Sequence, residues 1–537
     1  MPTIKLDGRE IPFMQGDTII RAAHRAGVDV PHYCWHPGLS VAANCRMCLV
    51  EVLPAAGQRA MRLDVLNWDA EKKQYAVTQK PKLQPACQQA CSDGMEVLSD
   101  SSPHVHEARK TVQELLLLNH PVDCPICDQA GECRLQDYWL EHGRYRKRMH
   151  DEIVHKPKAV SFGPTIVYDA ERCIVCTRCV RFVEEVAKDP VLEKRERGNL
   201  GEIFVAPGRQ LDNNYTLMTE HVCPVGALTA KDFRFKARVW FLRSARTICQ
   251  GCSTGCNAYL DYDPRSQKAY RHRPRENDEV NKYWMCDVGM LSYDRAHVGR
   301  ITAPSVGGQV ATTKAALEAV RKTFAGVSAD SIAVVLSAQH SSEDNFALAT
   351  LAKSFLGAGD FFLAGKAKGK GDGVLMSDDP NSNTRGVNQV AGTTPPRPFE
   401  DLVTAVAAGK YTHVLALGAD VPGEATLLDG FGRLAGFVAI SAHDGPIARA
   451  AKVVLPACSW AETDGTFVNA TGIPQRSERA IHPQGDSRPG WEWVGLIGDA
   501  LGHGLPLRRL GDVRKAMATE PNASLPPASM PAINAAT

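Results

Sequence analysis

Seventeen cysteines set the terms for this chain, because sixteen of them fall before residue 290 and their spacing is regular. The tightest group is His120-Pro-Val-Asp-Cys124-Pro-Ile-Cys127-Asp-Gln-Ala-Gly-Glu-Cys133, one imidazole and three thiols within fourteen residues. Ligands this soft, packed this closely, suit one metal centre and little else. Three more groups of four flank it. Cys34, Cys45 and Cys48 share one stretch, and Cys87 follows after a long interval. Cys173, Cys176 and Cys179 form a C-x2-C-x2-C run, with Cys223-Pro224 further on. Cys249, Cys252, Cys256 and Cys286 make the last group. The four sets use fifteen cysteines and His120, which leaves Cys91 and Cys458 over.

Composition adds bounds rather than direction. A hydrophobic fraction of 44% and a charged fraction of 23% are those of an ordinary soluble protein, and 537 residues predict several domains. A net charge of +2 gives no argument for nucleic acid or for a membrane surface. The aliphatic run Leu115 to Leu118 is far short of the roughly 20 residues of a membrane span, so membrane contact is expected only through partners. The opening Met1-Pro-Thr-Ile-Lys-Leu-Asp-Gly has neither signal nor transit character, which predicts a cytosolic protein, most simply in a bacterium. A reducing compartment disfavours disulfides, so the clustered cysteines point to metal or redox chemistry.

Taken in order, the chain predicts a hairpin around Leu6-Asp7-Gly8, then a helix capped by Asp17, with Ile19, Ile20, Ala23 and Ala26 on its inner face and Gly27 at its end. Leu49 to Val52 alternates like a strand. The C-x10-C-x2-C spacing with a remote fourth Cys is similar to the long-loop pattern of plant-type [2Fe-2S] ferredoxins, whose first gap is shorter. Cys87 is the favoured fourth ligand, with Cys91 open as its competitor. A helical stretch from Val105 to Leu118 delivers His120 to the second set. An imidazole in place of one thiolate leaves a cluster one unit less negative and raises its potential, as His ligands do in Rieske centres. Zinc is the competing metal, since sets of three Cys and one His also hold structural zinc.

The C-x2-C-x2-C run signals a [4Fe-4S] cluster. No fourth Cys follows at once and no second triplet exists, so Cys223 completes a single cluster. Arg172, Arg178 and Arg181 surround this triplet, as solvated surface, as an offset to cluster charge, or as a contact for a partner. In the last set, Gly251-Cys-Ser253-Thr-Gly255 formally matches the G-x-S-x-G nucleophile elbow. Cysteine ligands interleave with it and no strand-turn-helix context or Asp/His partner accompanies it, which excludes a hydrolase. From about 310 the pattern changes to alternating strands (Ile332 to Leu336, Val414 to Leu417, Phe437 to Ile440, Lys452 to Leu455) and helices (Ser342 to Phe355), predicting a parallel α/β region. Gly365 to Gly373 fits no phosphate-loop frame and reads as a surface loop. Residues 511 to 537, rich in Pro, Ala, Ser and Asn, read as a disordered tail.

Four clusters with no catalytic acid, base or nucleophile imply conduction of single electrons. The order of motifs resembles the large iron-sulfur subunit of the proton-pumping NADH:quinone oxidoreductases (respiratory complex I), called the G subunit in bacteria and the 75 kDa subunit in mitochondria. The resemblance is carried by Asn119-His120-Pro-Val-Asp-Cys124-Pro-Ile-Cys127-Asp-Gln-Ala-Gly-Glu-Cys133, Cys173-Ile-Val-Cys176-Thr-Arg-Cys179-Val-Arg-Phe and Cys223-Pro-Val-Gly-Ala-Leu-Thr. It implies one [2Fe-2S] cluster on Cys34, Cys45, Cys48 and Cys87. It implies [4Fe-4S] clusters on His120, Cys124, Cys127 and Cys133, and on Cys173, Cys176, Cys179 and Cys223. The set Cys249, Cys252, Cys256 and Cys286 matches an off-path [4Fe-4S] cluster kept by some bacterial members. Ala461-Glu-Thr-Asp-Gly-Thr-Phe-Val-Asn469 resembles a signature of molybdopterin oxidoreductases. Val288 stands where active members carry a Lys, and the region is short, so no functional molybdopterin is expected.

The implied organisation is multidomain α+β and α/β. A [2Fe-2S] ferredoxin-like (β-grasp) domain covers 1–100, a [4Fe-4S] domain with one His and three Cys ligands 101–150, and a [4Fe-4S] ferredoxin-like domain 151–240. A [4Fe-4S] domain of molybdopterin-oxidoreductase type covers 241–300, a reduced α/β region 301–510 and the tail 511–537. The implied partners are a flavin/NADH-binding subunit, a small [2Fe-2S] subunit, a ferredoxin-like two-cluster subunit and the quinone-site subunits of a peripheral arm on the cytoplasmic side of the bacterial inner membrane. The competing classes are the iron-sulfur subunit of an NAD-linked hydrogenase or formate dehydrogenase, and a zinc-stapled structural protein.

Overall fold

Asp7 and Gly8 both adopt positive φ (46° and 84°), the conformation of a two-residue hairpin turn, and they join the antiparallel strands Thr3–Leu6 and Arg9–Pro12. The Asp7 carboxylate also accepts from the backbone N–H groups of Ser99 (2.8 Å), Asp100 (3.0 Å) and Ser101 (3.2 Å), pinning the far end of the domain to this turn. Thr18, and not Asp17, holds the N-cap position of the helix Ile19–Arg25, and it makes no side-chain cap bond. The buried Asp17 instead accepts from Met14 N (2.8 Å) and Arg25 Nη2 (2.5 Å). The computed structural model describes residues 1–54, 61–146, 148–392 and 394–519.

The described residues fall into two compact units, 1–240 and 241–519. In the first, a five-stranded sheet runs in the order Arg9–Pro12, Thr3–Leu6, Glu96–Leu98, Leu49–Val52, Gln84–Pro85. Its Ile4, Leu6, Val50 and Val97 pack against Ile19, Ile20 and Trp35 beneath the helix. A separate ribbon, Arg62–Asp69 paired with Gln74–Pro81, leaves Leu66, Trp68, Tyr75 and Val77 exposed. The helix Pro103–Leu117 starts where Ser102 Oγ accepts from Val105 N and where proline costs no hydrogen bond. The helix Arg134–His142 begins directly after Cys133. A three-stranded sheet (Leu228–Ala230, Ile166–Tyr168, Val160–Ser161) and the helices Arg178–Glu185 and Leu217–His221 complete this unit's frame.

The second unit opens with the antiparallel meander Arg243–Ile248, Asn257–Asp263, Lys268–Pro274. An eight-stranded sheet follows. Its strands Val453–Pro456, Gly436–Ser441, His413–Leu417, Ile332–Ser337, Phe361–Ala364 and Arg397–Pro398 pair in parallel. Along Ile332–Ser337, Ile332, Val334 and Leu336 enter one core while Ala333 and Val335 enter the other. Both faces are therefore covered, as a parallel sheet requires. The expected tail starts later than residue 511. A helix spans Leu510–Thr519 and buries Val513 and Met517 in the core, so packing overrides the polar composition. Residues 520–537 of the expected tail lie outside the described residues.

Candidate metal centres

The first set forms around one loop in which Cys34 and Cys48 are buried and Cys45 is half-buried. Cys34 N donates to Cys45 Sγ (3.5 Å), and Ala86 N donates to Cys48 O (2.9 Å), which seats Cys87 beside Cys48. Hydrogen bonding from the Cys45 thiol, assisted by the Arg181 charge, holds Cys34 below the ordinary thiol range, and the same contact pushes Cys45 up. A hydrogen bond between the Cys48 and Cys87 thiols likewise pushes Cys48 up and holds Cys87 down. Cys91 takes no part in this. Its N donates to Asp17 O (2.8 Å), and burial, with Asp17 next, raises the thiol to about 11.

His120, Cys124, Cys127 and Cys133 all line one cavity of about 310 Å³, together with Leu118, Trp139 and Gly226. Burial pulls His120 down to about 4, so its imidazole is neutral and ligand-competent at neutral pH. Cys173, Cys176, Cys179 and Cys223 line a second, smaller cavity with Tyr168, Val225 and Leu228. Burial raises Cys173 and Cys176 to about 11 and Cys223 to about 12, and it drives Cys179 up further with the help of the other three thiols.

The last set sits at the meander. Cys249 N donates to Cys256 O (2.9 Å) across the turn, and Cys286 Sγ caps the helix Asp287–Leu291 by accepting from Gly289 N (3.4 Å). Burial raises Cys249 and Cys256, and each also feels the charges of Cys252 and Cys286. Each of the four sets thus draws its members into one neighbourhood. Among the described residues no three His, Cys, Asp or Glu side chains are gathered to hold a metal ion as they stand. A multi-iron cluster, with its own bridging core between the thiolates, fits such donor sets, and the cavity of about 310 Å³ at His120 has room for one.

The three arginines near the third set are not solvated. Arg172, Arg178 and Arg181 are 5%, 6% and 8% exposed. Arg172 donates to both oxygens of Asp123 (3.1 and 2.5 Å), the residue preceding Cys124. A Cβ added to Gly226 would collide with Cys127 Sγ, and Arg134 N donates to Pro224 O (3.1 Å), so the loops of the second and third sets touch. On the other side, Arg178 donates to Val222 O (3.4 Å) and to Trp35 O. Arg181 donates to Cys34 O (2.5 Å), Cys176 O (3.4 Å) and Ser40 O. The third set therefore adjoins both the first and the second.

Sequence reasoning missed the backbone of these loops. Ala43 and Arg46 flank Cys45, Val122 precedes Cys124, and Val175 and Thr177 flank Cys176, all with φ between 50° and 62°. Left-handed non-glycine residues cost energy and persist where surroundings enforce them, commonly at functional sites. Their only trace in sequence is their position between ligands. In the α/β region, Cys458 is buried and lines a cavity with His340, His443 and Ser459. Val288 is 55% exposed and does not line that cavity. At the position where a linking lysine is expected in active molybdopterin oxidoreductases the chain thus presents an exposed valine.

Protein-family models match four stretches. They are a 2Fe-2S iron-sulfur cluster binding domain over 1–102, the NADH-ubiquinone oxidoreductase-G iron-sulfur binding region over 109–148, the ferredoxin-like domain of NADH-quinone oxidoreductase subunit 3 over 163–229, and a molybdopterin oxidoreductase over 289–499. The chain resembles the G subunit of NADH-quinone oxidoreductases. The G subunit of Streptomyces coelicolor is 37% identical over 306 residues, 57% of this chain and 33% of that protein. The G subunit of Rickettsia felis is 35% identical over 355 residues, 65% of this chain and 49% of that protein. The mitochondrial 78 kDa subunit of NADH-ubiquinone oxidoreductase from Neurospora crassa is 38% identical over 306 residues, 56% and 37% of the two chains. The chain thus spans a third to a half of the length of these relatives. The expected domain order, from [2Fe-2S] ferredoxin through [4Fe-4S] domains to a molybdopterin-oxidoreductase region, is the order of the matched families.

Proposed function

We propose that the chain is the iron-sulfur electron-transfer subunit of an NADH:quinone oxidoreductase, relaying electrons from a flavin subunit towards quinone. The observation that carries this reading is the contact of three ligand sets in one unit. The third set adjoins the first through Arg178 and Arg181 and the second through Arg172 and Gly226. Similarity to the bacterial G subunits supports it. On this reading Cys34, Cys45, Cys48 and Cys87 hold a [2Fe-2S] cluster. Three [4Fe-4S] clusters are held by His120, Cys124, Cys127 and Cys133, by Cys173, Cys176, Cys179 and Cys223, and by Cys249, Cys252, Cys256 and Cys286. The clusters supply one-electron redox chemistry, while the protein residues set ligation, charge and burial around them.

The partners are then the flavin subunit, the small [2Fe-2S] subunit, the two-cluster ferredoxin-like subunit and the quinone-site subunits of the peripheral arm, on the cytoplasmic side of the membrane. Among the described residues no helix is long and apolar enough to cross a membrane.

Elemental analysis of the anaerobically purified chain tests the reading. Two irons and three times four give about 14 Fe per chain, with negligible zinc and molybdenum. Zinc in place of iron reverses it to a stapled scaffold. Stoichiometric molybdenum moves it to the formate dehydrogenase class.

A further inference from the structure

Arg178 and Arg181 are buried guanidinium groups with no carboxylate within ion-pair distance among the described residues. Arg172, also buried, is fully paired with Asp123. A buried charge without a counter-ion is costly and is rarely kept without an anion nearby. Here both cations reach across to two different cysteine sets. Arg181 donates to the backbone carbonyls of Cys34, in the first set, and of Cys176, in the third. Arg178 spans Trp35, beside Cys34, and Val222, beside Cys223. The helix that carries both arginines is locked to the first set's loop, with Ser40 N donating to Glu185 (2.8 Å) and Asn44 Nδ2 donating to Val175 O (3.3 Å).

We propose that Arg178 and Arg181 form a cationic bridge that raises the reduction potentials of the first and third clusters together. The proposal rests on the cluster assignment above. Each cluster gains one electron on reduction and becomes one unit more negative. A fixed positive charge between the two clusters stabilises the reduced form of both. The two potentials therefore rise as a pair, and electron exchange between the clusters stays close to balanced. Neither arginine exchanges electrons or protons in the step; they are positioning residues for charge.

The test is a redox titration followed by electron paramagnetic resonance on the full chain in its assembled complex, comparing Arg181→Gln, Arg181→Lys and Arg172→Gln. Arg181→Gln makes both the [2Fe-2S] cluster and the third-set [4Fe-4S] cluster about tenfold harder to reduce, a fall of about 59 mV for one electron. Arg181→Lys keeps the charge and holds both potentials within about a third of that shift. Arg172→Gln leaves the [2Fe-2S] potential where it was. Unmoved potentials in Arg181→Gln, movement of one cluster alone, or equal shifts in the Gln and Lys variants overturn the bridge. If Arg181→Gln does not assemble its clusters, the Lys variant decides, and a lowered potential there overturns the proposal. Absence of both cluster signals from the unsubstituted chain overturns the cluster assignment itself.

Discussion

The third and fourth ligand sets solve the same problem by different means. The fourth buries all four of its cysteines, and the third buries Cys176 and Cys179 and leaves Cys173 and Cys223 half-buried. In the third, Cys176 sits between left-handed Val175 and Thr177, and buried arginines face the loop. In the fourth, Gly255 takes the left-handed turn (φ 62°) at no steric cost, and the loop is the end of a regular β-meander. Around the fourth set the charges are of both signs, and, after burial, Asp287 and Asp372 both push Cys286 up. His272 is pulled down to about 4 by burial and faces Gly289 O (3.2 Å), while Lys366 exerts a weaker charge on Cys249 from the α/β region. The contrast separates a strained loop held against buried arginines from an unstrained one held by its meander and by neutral contacts to the α/β region, where Ser253 N donates to Asp379 O (2.8 Å) and Thr254 Oγ1 to Leu375 O (2.6 Å). The first kind ties its redox behaviour to those arginines.

Removing one ligand from each set probes this difference most strongly. Cys179→Ser should remove about 4 of the roughly 14 irons. It also removes the third cluster's charge from beside Arg178 and Arg181, leaving them less compensated and costing the first unit up to about 3–5 kcal/mol. Cys256→Ser should remove the same iron with a smaller fall in the unfolding temperature of the first unit's transition. Iron content and calorimetry together decide; equal thermal losses in the first unit would erase the distinction.

The meander beneath the fourth set has its own keystone. Asp261 is buried between Arg271 (2.7 Å) and Arg273 (2.6 Å). Burial pushes its carboxyl up, but the two guanidinium groups prevail and hold it well below the usual carboxylate range. A depressed folded-state pKa gives stability that is present above the unfolded value, near about 3.9, and lost as pH falls below it. Asp261→Asn should cost about 3 kcal/mol at pH 7 and flatten the acid limb of the second unit's stability curve. An unchanged acid limb in denaturant titrations at about pH 3–5 would count against Asp261 as its source.

The smallest test reads the backbone directly. Gly255→Ala places a Cβ at positive φ against Gln475 and should cost about 1–2 kcal/mol. Thr177→Gly relaxes the third set's loop and should gain up to about 1 kcal/mol. Opposite signs in chemical denaturation support a strained third loop and an unstrained fourth, and like signs refute them.

How legible all this is in the sequence follows from range. Ligands such as His120 and Cys179 are visible because metal chemistry restricts residue type and spacing. The strand Ile332–Ser337 is visible because a parallel strand buried on both faces must be apolar almost throughout. Arg181 is invisible as a bridge because its partners lie 147 and 141 residues upstream, at Cys34 and Ser40. The helix Leu510–Thr519 is hidden for a similar reason, since only the groove that receives Val513 and Met517 distinguishes it from a tail. The helix expected to run from Ser342 to Phe355 ends at Leu351 and widens into a π-turn over Ala352–Leu356, which Gly357 closes at φ 64°.

The exposed ribbon Arg62–Asp69 with Gln74–Pro81 lies between Cys48 and Cys87. Its eight pairs, from Arg62↔Pro81 to Asp69↔Gln74, form locally, and Leu49↔Pro85 then closes beside Cys48. For the folding chain, a cysteine 39 positions away behaves as a near neighbour. Because closure entropy grows only with the logarithm of loop length, the ribbon can be trimmed or extended at roughly 0.6 kcal/mol per doubling. That gives the fold a place to grow or lose material across evolutionary time without disturbing the fourth ligand's arrival.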